Sequence, residues 1–478
     1  MNTIIVWFRQ DLRLSDHPAL QAAARDGERC IPVYIHDDGA AGTWAPGGAS
    51  RWWLHHSLEK LDQQLRELGG HMVFRNGATA DLLRELCEET GATAIYCSRR
   101  YEPWAAQQEQ DLHALLADHD LTLRRYPGSL LHEPGSVLTQ GGDPFKVFTP
   151  FWRACQRNTV AKPLPVPELS LTTDIQSDSL ESWGLLPQKP NWAQHWPEYW
   201  SPGEEGGRAR LEEFLDESVG QYAAERDLPA VKGTSRLSPH IHFGELSPRM
   251  IWDRCEQYTA GAISDSESIS KFQAELGWRE FSYHLLHFFP TIPEASFKDN
   301  FEEFPWIHDE GRIHAWQRGQ TGYPIVDAGM RELWSTGHMH NRVRMVVASF
   351  LCKHLLTHWR VGEDWFWDTL VDADLASNGC SWQWVAGSGA DAAPYFRIFN
   401  PVTQGEKFDK QGEYVRHWVP EIAGLPDKFL HKPWETPPMI LEEAGISLGD
   451  DYPHPLVDHK QARQSALDAY ETIKLSKP

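Results

Sequence analysis

The sequence lacks a long apolar run, and this absence excludes a membrane-spanning protein. One of its longest apolar stretches, Met345–Cys352, is far shorter than the roughly 20 residues that a membrane-spanning helix needs. Residues Met1–Arg9 also lack the apolar stretch of a signal peptide. With 41% hydrophobic and 23% charged residues, the composition is typical of a soluble globular protein. We therefore expect a cytoplasmic location.

Cysteine is sparse and scattered. The seven cysteines lie far apart, contain no CxxC pair and are odd in number, which argues against a disulfide framework, a structural zinc site or an iron–sulfur cluster. The histidine pairs His240/His242 and His338/His340 have no cysteine or acidic residue at a metal-binding spacing. We expect reduced thiols and no metal.

A net positive charge is also missing, since the formal charge is −22. Nucleic-acid binders usually gain most of their affinity from phosphate contacts. A local cationic face is nevertheless sufficient. Six cations fall in segments that carry other candidate residues: Arg226, Lys232, Arg342, Arg344, Arg397 and Lys407. They form either such a face or a set of scattered surface charges.

The pattern along the chain predicts an α/β fold followed by an all-α fold. Over residues 1–126, short β-rich runs alternate with helical ones, which is typical of a doubly wound parallel sheet. No GxGxxG follows the first strand, so a dinucleotide site of that kind is not supported. The expected strands are Thr3–Arg9, Ile31–His36, Met72–Arg75, Thr93–Cys97 and Leu121–Tyr126.

Two further segments follow this α/β region. Residues 127–205 are rich in Pro, Gly and Ser and predict a long surface connector, docked where Phe145–Trp152 is apolar. Residues 206–478 show helical periodicity, including one helix predicted over Asn341–His358.

The segment Asp372–Trp384, followed by Ala392–Asn400, combines acids, an amide, tryptophans and an arginine. Burying aspartates without partners is costly, so this mixture indicates a polar ligand or cations that satisfy them. A second segment, Lys232–His242, places three hydroxyl side chains and a cation where a helix should begin. Backbone N–H groups there suit a phosphate. The alternative is that Ser238 is a simple N-cap before Pro239.

Two helical faces complete the set of candidates. Glu275, Trp278 and Arg279 lie at i, i+3 and i+4, so one face offers a carboxylate, a ring and a guanidinium. The alternative is an intrahelical Glu–Arg pair beside a core tryptophan. The helix that opens at Gly337–Met345 places three polar or polarisable side chains on a second face, with Arg342 beside them: Asn341, Arg344 and Met345.

With Trp7–Leu14, these motifs resemble the photolyase/cryptochrome family of flavoproteins over nearly the whole chain. The resemblance implies an α/β antenna-binding domain over 1–126, the connector, and a helical FAD- and DNA-binding domain over 206–478. It also implies the residues that bind FAD: Tyr222, Thr234, Ser235, Arg236, Leu237, Ser238, Arg279, Asn341, Arg344, Asp372, Asp374 and Asn378.

The resemblance further implies light-driven repair of cyclobutane pyrimidine dimers in UV-damaged DNA. A flipped-out pyrimidine pair needs flat rings to replace its lost stacking and polar groups to contact its edges. The residues that match DNA- or lesion-contacting positions are Arg226, Glu275, Trp278, Asn341, Arg342, Met345, Trp384, Arg397 and Gln404. The expected catalytic residues are Glu275, Asn341, Met345 and Asn378, the last one facing the flavin N5.

Two other activities of the family remain alternatives. Cryptochromes usually carry a long carboxy-terminal tail and lack the lesion contacts, and this sequence shows neither mark. Six-four photolyases carry a catalytic histidine where this chain has Asn341 or Met345, which favours dimer repair. His338 and His340 are close enough in sequence to keep the six-four activity open.

Trp382, Trp359 and Trp306 match the family's chain of three tryptophans that carries electrons from the protein surface to the flavin. The alternative is that each is a core aromatic residue. Trp334, Trp365 and Trp367 would allow a branched path.

The amino-terminal motifs Ser50–Leu58 and Arg100–Trp104 look more like class III photolyases than class I. The resemblance implies an antenna chromophore, 5,10-methenyltetrahydrofolate, near Trp104 and Glu102. Trp104 replaces an asparagine that contacts folate in class I members, which leaves the identity and pose of the antenna open. We expect the protein to act as a monomer.

Overall fold

Five runs of apolar and β-branched residues form one parallel sheet, as the sequence predicts. In a computed structural model that describes residues 2–261, 266–391 and 396–475, the strands are β1 (Thr3–Phe8), β2 (Arg29–His36), β3 (Val73–Asn76), β4 (Ala92–Ser98) and β5 (Thr122–Tyr126). Their order is β3-β2-β1-β4-β5. Every residue of β1 is buried, as expected for a central strand covered on both faces. Residues 392–395 of the candidate segment Ala392–Asn400 lie outside the described residues.

Helices alternate with these strands and then continue alone. The first eleven are α1 (Pro18–Asp26), α2 (Asp38–Ala41), α3 (Gly48–Glu67), α4 (Thr79–Thr90), α5 (Pro103–Ala117), α6 (Phe148–Cys155), α7 (Glu204–Glu213), α8 (Tyr222–Glu225), α9 (Ser238–His242), α10 (Pro248–Gly261) and α11 (Ser266–Phe288).

The remaining helices are α12 (Glu310–Gln317), α13 (Pro324–Thr336), α14 (Asn341–Ser349), α15 (Trp359–Thr369), α16 (Leu375–Ala386), α17 (Pro401–Phe408), α18 (Glu413–Trp418), α19 (Asp427–Leu430), α20 (Pro438–Glu443) and α21 (His459–Leu475). Helical segments of π type span Phe214–Ser218 and Phe350–His354. The expected architecture, a parallel sheet followed by an all-helical part, is confirmed.

The chain divides into two compact units that interleave along the sequence. Unit 1 contains Met1–Gly220, Ser235–Pro290 and Val371–Asp374, and therefore the sheet and α11. Unit 2 contains Gln221–Thr234, Thr291–Leu370 and Leu375–Pro478. The predicted domains are continuous segments that end at residues 126 and 205, whereas each compact unit combines several segments. The predicted boundaries therefore remain a prediction.

The helix predicted over Asn341–His358 is shorter than expected. The α-helical part, α14, ends at Ser349 and passes into the π-type segment Phe350–His354. Leu356 then adopts a left-handed φ of 52°, which a right-handed helix cannot accommodate. The next helix, α15, begins at Trp359.

The connector docks where the sequence predicts. Within Phe145–Trp152 the chain forms the start of α6, and Phe151 and Trp152 are buried. A Cβ atom on Gly277 of α11 would lie only 2.5 Å from the Trp152 ring, so glycine lets the two helices approach closely. Elsewhere in the connector, short 3₁₀ turns form at Leu180–Trp183 and Trp196–Glu198.

Across the described ranges, no helix combines the length and apolar character needed to cross a bilayer.

Candidate functional site

Asp374 is a buried candidate residue of unit 1 with several polar neighbours in that unit. Its Oδ2 accepts a hydrogen bond of 2.5 Å from the Tyr283 hydroxyl and lies 3.5 Å from Nδ1 of His242. His242 in turn contacts the side chain of Gln10, which follows β1, at 3.3 Å. The guanidinium of Arg279 lies over the Tyr283 ring, 4.6 Å from its centroid. A buried acid is thus surrounded by donors and a cation.

This surrounding sets the protonation state of Asp374. Burial alone would raise its pKa, but hydrogen bonding to His242, the charge of Arg279 and the Tyr283 hydroxyl outweigh burial and hold the pKa below its usual range. Asp374 is therefore a permanent buried anion at neutral pH. A fixed acceptor of this kind suits a polar N–H or O–H edge of a ligand.

The loop before α9 carries the hydroxyl candidates. Ser238 donates a hydrogen bond of 2.6 Å to Oδ2 of Asp372. Arg236 has a left-handed φ of 51°, a conformation that non-glycine residues rarely adopt and that often marks a functional loop. The backbone N–H of Leu237 contacts Oγ of Ser235 at 3.4 Å. Since α9 has only five residues, its dipole adds little to phosphate binding.

The contacts on α11 match only part of the prediction for Glu275, Trp278 and Arg279. Arg279 donates to the carbonyl oxygen of Ser129 at 2.7 Å as well as covering Tyr283, so it is not simply the partner of Glu275. Trp278 is 37% exposed, which contradicts the alternative of a core tryptophan. Its ring stacks on Phe148 of α6 with centroids 3.7 Å apart. Trp278 therefore offers a fixed and partly open aromatic surface.

In unit 2, α14 places its candidates close together. His340 caps the helix by accepting from the backbone N–H of Arg342 at 3.2 Å. The Arg342 guanidinium pairs with Asp227 at 2.9 Å and contacts the sulfur of Met345 at 3.7 Å. Arg344 donates to the carbonyl oxygen of Met339 at 2.7 Å.

The first residue of α14, Asn341, is exposed. Arg342 contacts Met345 one helical turn further along α14. The predicted common face of Asn341, Arg344 and Met345, with Arg342 beside it, remains a prediction.

Asn378 is buried in α16, where its Nδ2 donates to the carbonyl oxygen of Glu363 at 3.1 Å. The Glu363 carboxyl is itself fully buried and lies beside Gly379, where a Cβ atom would be 3.1 Å from Oε1. Burial raises the pKa of Glu363 well above its usual range, so this carboxyl is neutral. Sequence reasoning missed Glu363, although it follows Trp359 by four residues on α15.

The three candidate tryptophans differ in exposure. Trp382 and Trp359 are buried, whereas Trp306 is partly exposed. The ring of His358 lies between two of them, 5.5 Å from Trp359 and 5.1 Å from Trp306 by centroid. Trp382 packs against Gly362 of α15, the helix that begins at Trp359. Trp306 is therefore the most exposed of the three, and their order as an electron path remains a prediction.

The remaining candidates of unit 2 lie on its loops and helix surfaces. The Arg226 guanidinium lies 5.3 Å from the Tyr222 ring centroid, and the exposed Arg397 lies 4.9 Å from Phe399. Gln404 lies on α17, and Trp384 is half-buried on α16. Thr234 is half-buried in the segment that precedes Ser235.

At the amino-terminal candidate loop, Glu102 and Trp104 have different roles. Both carboxylate oxygens of Glu102 accept from Arg100, at 2.6 and 2.9 Å, and one also accepts from the backbone N–H of Tyr101. Burial would raise the pKa of Glu102, but the charge of Arg100 and its hydrogen bonds lower it. Glu102 thus orders the loop. Trp104 is partly exposed, with Arg100 5.2 Å from its ring centroid.

The histidine pairs are engaged in other contacts. His240 bonds to Glu245 at 2.5 Å, and His338 lies 3.8 Å from Glu332. Within the described parts of the chain, no group of three or more His, Cys, Asp or Glu side chains could hold a metal ion.

Comparison with known proteins gives the family. A model described as "DNA photolyase" matches residues 4–168, and one described as "FAD binding domain of DNA photolyase" matches residues 272–472. The chain is 50% identical over 474 residues to the deoxyribodipyrimidine photo-lyase of Agrobacterium fabrum, with 98% of both chains covered. This chain belongs to the photolyase/cryptochrome family.

Two further similarities define its place in that family. The crystal structure of a class III photolyase from Agrobacterium tumefaciens superposes with a TM-score of 0.96 at 49% identity, covering 100% of this chain and 98% of that one. Cryptochrome-2 of Arabidopsis thaliana is 38% identical over 474 residues, covering 96% of this chain and 77% of its own length. The predicted family, with a class III photolyase among its similar members, is therefore confirmed.

Each unit carries polar groups that fit a flavin. In unit 1, Asp374 is a permanently charged acceptor and Arg279 is a half-buried cation. In unit 2, Asn378 is a buried amide, and one of its two N–H groups bonds the main-chain carbonyl oxygen of Glu363. Tyr283 and His242 contact Asp374, and Glu363 accepts from Asn378. The sequence did not predict these three residues as part of a flavin site. Tyr283 follows Arg279 by four residues on α11, and that helical spacing was the available signal.

Proposed function

We propose that this chain is a deoxyribodipyrimidine photo-lyase that repairs cyclobutane pyrimidine dimers in UV-damaged DNA with light. The observation that carries the proposal is the 50% identity to a named photo-lyase over 98% of both chains. Reduced FAD supplies the light-driven electron when it is bound. The protein supplies binding, orientation and a defined electrostatic environment.

We propose two groups of residues that bind FAD. In unit 1, Asp374 and Arg279 would contact the ring system, while Ser235, Arg236, Leu237, Ser238 and Asp372 would bind the phosphate and ribityl part. In unit 2, the group is Tyr222, Thr234, Asn341, Arg344 and Asn378. The low pKa of Asp374 and the left-handed backbone at Arg236 support these assignments.

We assign lesion recognition to the exposed ring of Trp278 and to candidate residues in each unit. Trp278 would stack on the flipped-out pyrimidine pair, because its ring is 37% exposed and fixed by Phe148. Glu275, Asn341 and Met345 would contact the pair, with Trp384 as a second ring. Arg226, Arg342, Arg397 and Gln404 would bind the flanking DNA. The cations of this group offer local positive charge despite the net charge of −22.

Dimer repair is favoured over six-four repair by the state of the histidines. His340 is buried and caps α14, and His338 is buried beside Glu332. Both therefore have a role within unit 2 that does not require catalysis. Reversal of a six-four photoproduct would benefit from an accessible general acid, which dimer splitting does not need.

We further propose that Trp306, Trp359 and Trp382 deliver electrons to the flavin, and that an antenna chromophore binds beside Trp104. The half-exposed Trp104 ring supports the antenna site, whereas Glu102 orders the loop through Arg100. The antenna is proposed to be 5,10-methenyltetrahydrofolate, which would give a near-ultraviolet absorption band. The protein is proposed to act as a monomer in the cytoplasm.

The test uses two oligonucleotides of one sequence, one with a cyclobutane dimer and one with a six-four photoproduct. Blue light is expected to remove the dimer and leave the six-four product. Glu275→Gln is expected to lower dimer repair with an unchanged flavin spectrum, and the exposed Glu267→Gln on the same helix is the control. Flavin photoreduction without loss of either lesion would instead indicate a cryptochrome-type receptor.

A further inference from the structure

We infer that Phe148 is a positioning residue that holds the Trp278 ring ready to stack on an extrahelical pyrimidine pair. In this way Phe148 contributes to the preference for damaged over undamaged DNA. The inference rests on the proposed function, in which Trp278 contacts the lesion. Phe148 lies in the connector, 130 residues before Trp278 in the sequence.

The geometry is that of a parallel aromatic stack. Phe148 and Trp278 have ring centroids 3.7 Å apart and planes inclined by only 9°. On α6, Trp152 lies 6.3 Å from Phe148 with an interplanar angle of 10°. One face of Trp278 is thus covered by a ring of this protein. The ring remains 37% exposed, so part of it is still available to a base.

Neighbouring contacts fix α6 in the place that this stack requires. The Trp152 ring lies against Gly277, where any side chain would collide with it. Phe151 packs on Phe281 with centroids 5.2 Å apart. The edge of Phe281 also meets both stacked rings, at 6.0 Å from Phe148 and 6.1 Å from Trp278. The Trp278 ring is therefore bounded on its side and on one face.

Burial alone does not account for this arrangement. Phe148 is only half-buried and Trp278 is exposed, so the pair does not fill the core. A tryptophan with both faces in water would sample several rotamers and would lose that freedom on binding. A ring already held in one orientation avoids much of this entropic cost. The benefit is realised only when a base stacks on Trp278, which happens only when a lesion leaves the duplex.

The experiment measures the dissociation constants of flavin-loaded protein for dimer-bearing and undamaged oligonucleotides, in the dark, by fluorescence anisotropy. Phe148→Ala is expected to weaken dimer binding by about threefold to tenfold, the range typical of an aromatic pair, without changing undamaged binding. Phe148→Tyr keeps the ring and should bind as the native protein does. Phe148→Leu keeps apolar volume without a ring and should resemble Phe148→Ala.

Several controls separate positioning from loss of structure. Val147→Ala, at an exposed neighbour, should change neither constant. Flavin content and melting temperature establish whether each variant folds. If Phe148→Ala does not fold, Phe148→Leu takes its place in the test. Phe148→Ala should add nothing in a Trp278→Ala background, because the ring that it positions is absent there.

Native-like dimer binding by Phe148→Leu, or equal weakening for damaged and undamaged DNA, would overturn the inference. The failure of the proposed function has a different signature. If Trp278→Ala itself leaves dimer binding unchanged, then Trp278 does not contact the lesion. If Trp278→Ala weakens dimer binding while Phe148→Ala does not, only the positioning role fails.

Discussion

Asn378 donates its side-chain N–H to the main-chain carbonyl oxygen of Glu363, at 3.1 Å. This bond joins α16 to α15 and determines which way the amide faces, because one of the two Nδ2 N–H groups points at the carbonyl oxygen. The Asn378 Oδ1 atom is then the acceptor available to a ligand. A neutral Glu363 carboxyl beside Gly379 adds no negative charge next to it.

Replacing Asn378 with aspartate should change the redox state in which the flavin accumulates during photoreduction. The new carboxyl group could not donate to the Glu363 carbonyl group unless protonated, and when charged it would disfavour an additional negative charge on the flavin. Absorption spectra recorded during illumination with a reductant measure this effect. Asn378→Ser, which retains a donor, is the matched variant. Spectra that follow the native course in Asn378→Asp would show that this residue does not face the redox-active ring.

Tyr283→Phe should weaken FAD binding by about tenfold, because it removes a hydrogen bond that helps to keep Asp374 charged. The measurement is FAD fluorescence released on dilution. Tyr452→Phe is the control, since the Tyr452 hydroxyl donates to buried Asp327 at 2.6 Å in a pair of the same kind. The control should lose stability but keep its FAD affinity. Equal FAD affinity in both variants would show that Asp374 does not contribute to FAD binding.

Gly362→Ala should slow flavin photoreduction more than it slows repair by flavin that was reduced beforehand. An added Cβ atom would collide with the six-membered part of the Trp382 ring and displace it from its position against α15. Transient absorption after a laser flash reports the photoreduction rate. Gly311→Ala, at an exposed position of α12, changes backbone freedom without such a collision. If the two variants photoreduce equally fast, Trp382 does not carry the electrons.

Glu280→Gln should flatten the dependence of stability on pH. Burial raises the pKa of Glu280, and the charge of Arg279 with the N–H groups of Leu131 and His132 only partly offsets this, leaving a pKa of about 7. The folded state therefore holds this proton more tightly than the unfolded state does. Its contribution to stability is complete below pH 4.5 and is lost as pH rises towards 7.

The expected loss through Glu280 is on the order of 3 kcal/mol at most. Melting temperatures of the native protein and Glu280→Gln, taken from pH 4.5 to 8, measure it. The variant should gain relative stability as pH rises, because glutamine does not ionise. Its single side-chain oxygen can accept from only one of the two N–H groups, of Leu131 and His132, that bond separate oxygens of Glu280, and this loss does not depend on pH. Glu267→Gln, exposed on the same helix, should follow the native curve. Parallel curves for Glu280→Gln and the native protein would contradict the assigned shift.

The sheet could be predicted from sequence because its strands are local runs of β-forming residues. The helix break at Leu356 could not, since nothing in Asn341–His358 except tertiary packing forces a left-handed residue. Most candidate residues came from motifs that the family resemblance carries.

The residues that hydrogen-bond the candidate residues were not predicted, because these contacts join positions far apart in the sequence. Tyr283 and Asp374 are 91 residues apart, and Asn378 bonds the backbone rather than the side chain of Glu363. Phe148 and Trp278 likewise meet through the docking of a connector whose position no periodicity encodes.

The most direct measurement counts dimers removed per flavin by purified protein whose flavin was reduced beforehand, with spectra taken before and after illumination. We expect many dimers lost per flavin under blue light, none in the dark, and no net change in the flavin spectrum, because the electron returns after each cycle. Intact dimers after illumination, with a flavin that is still reduced and DNA that is still bound, would contradict the account.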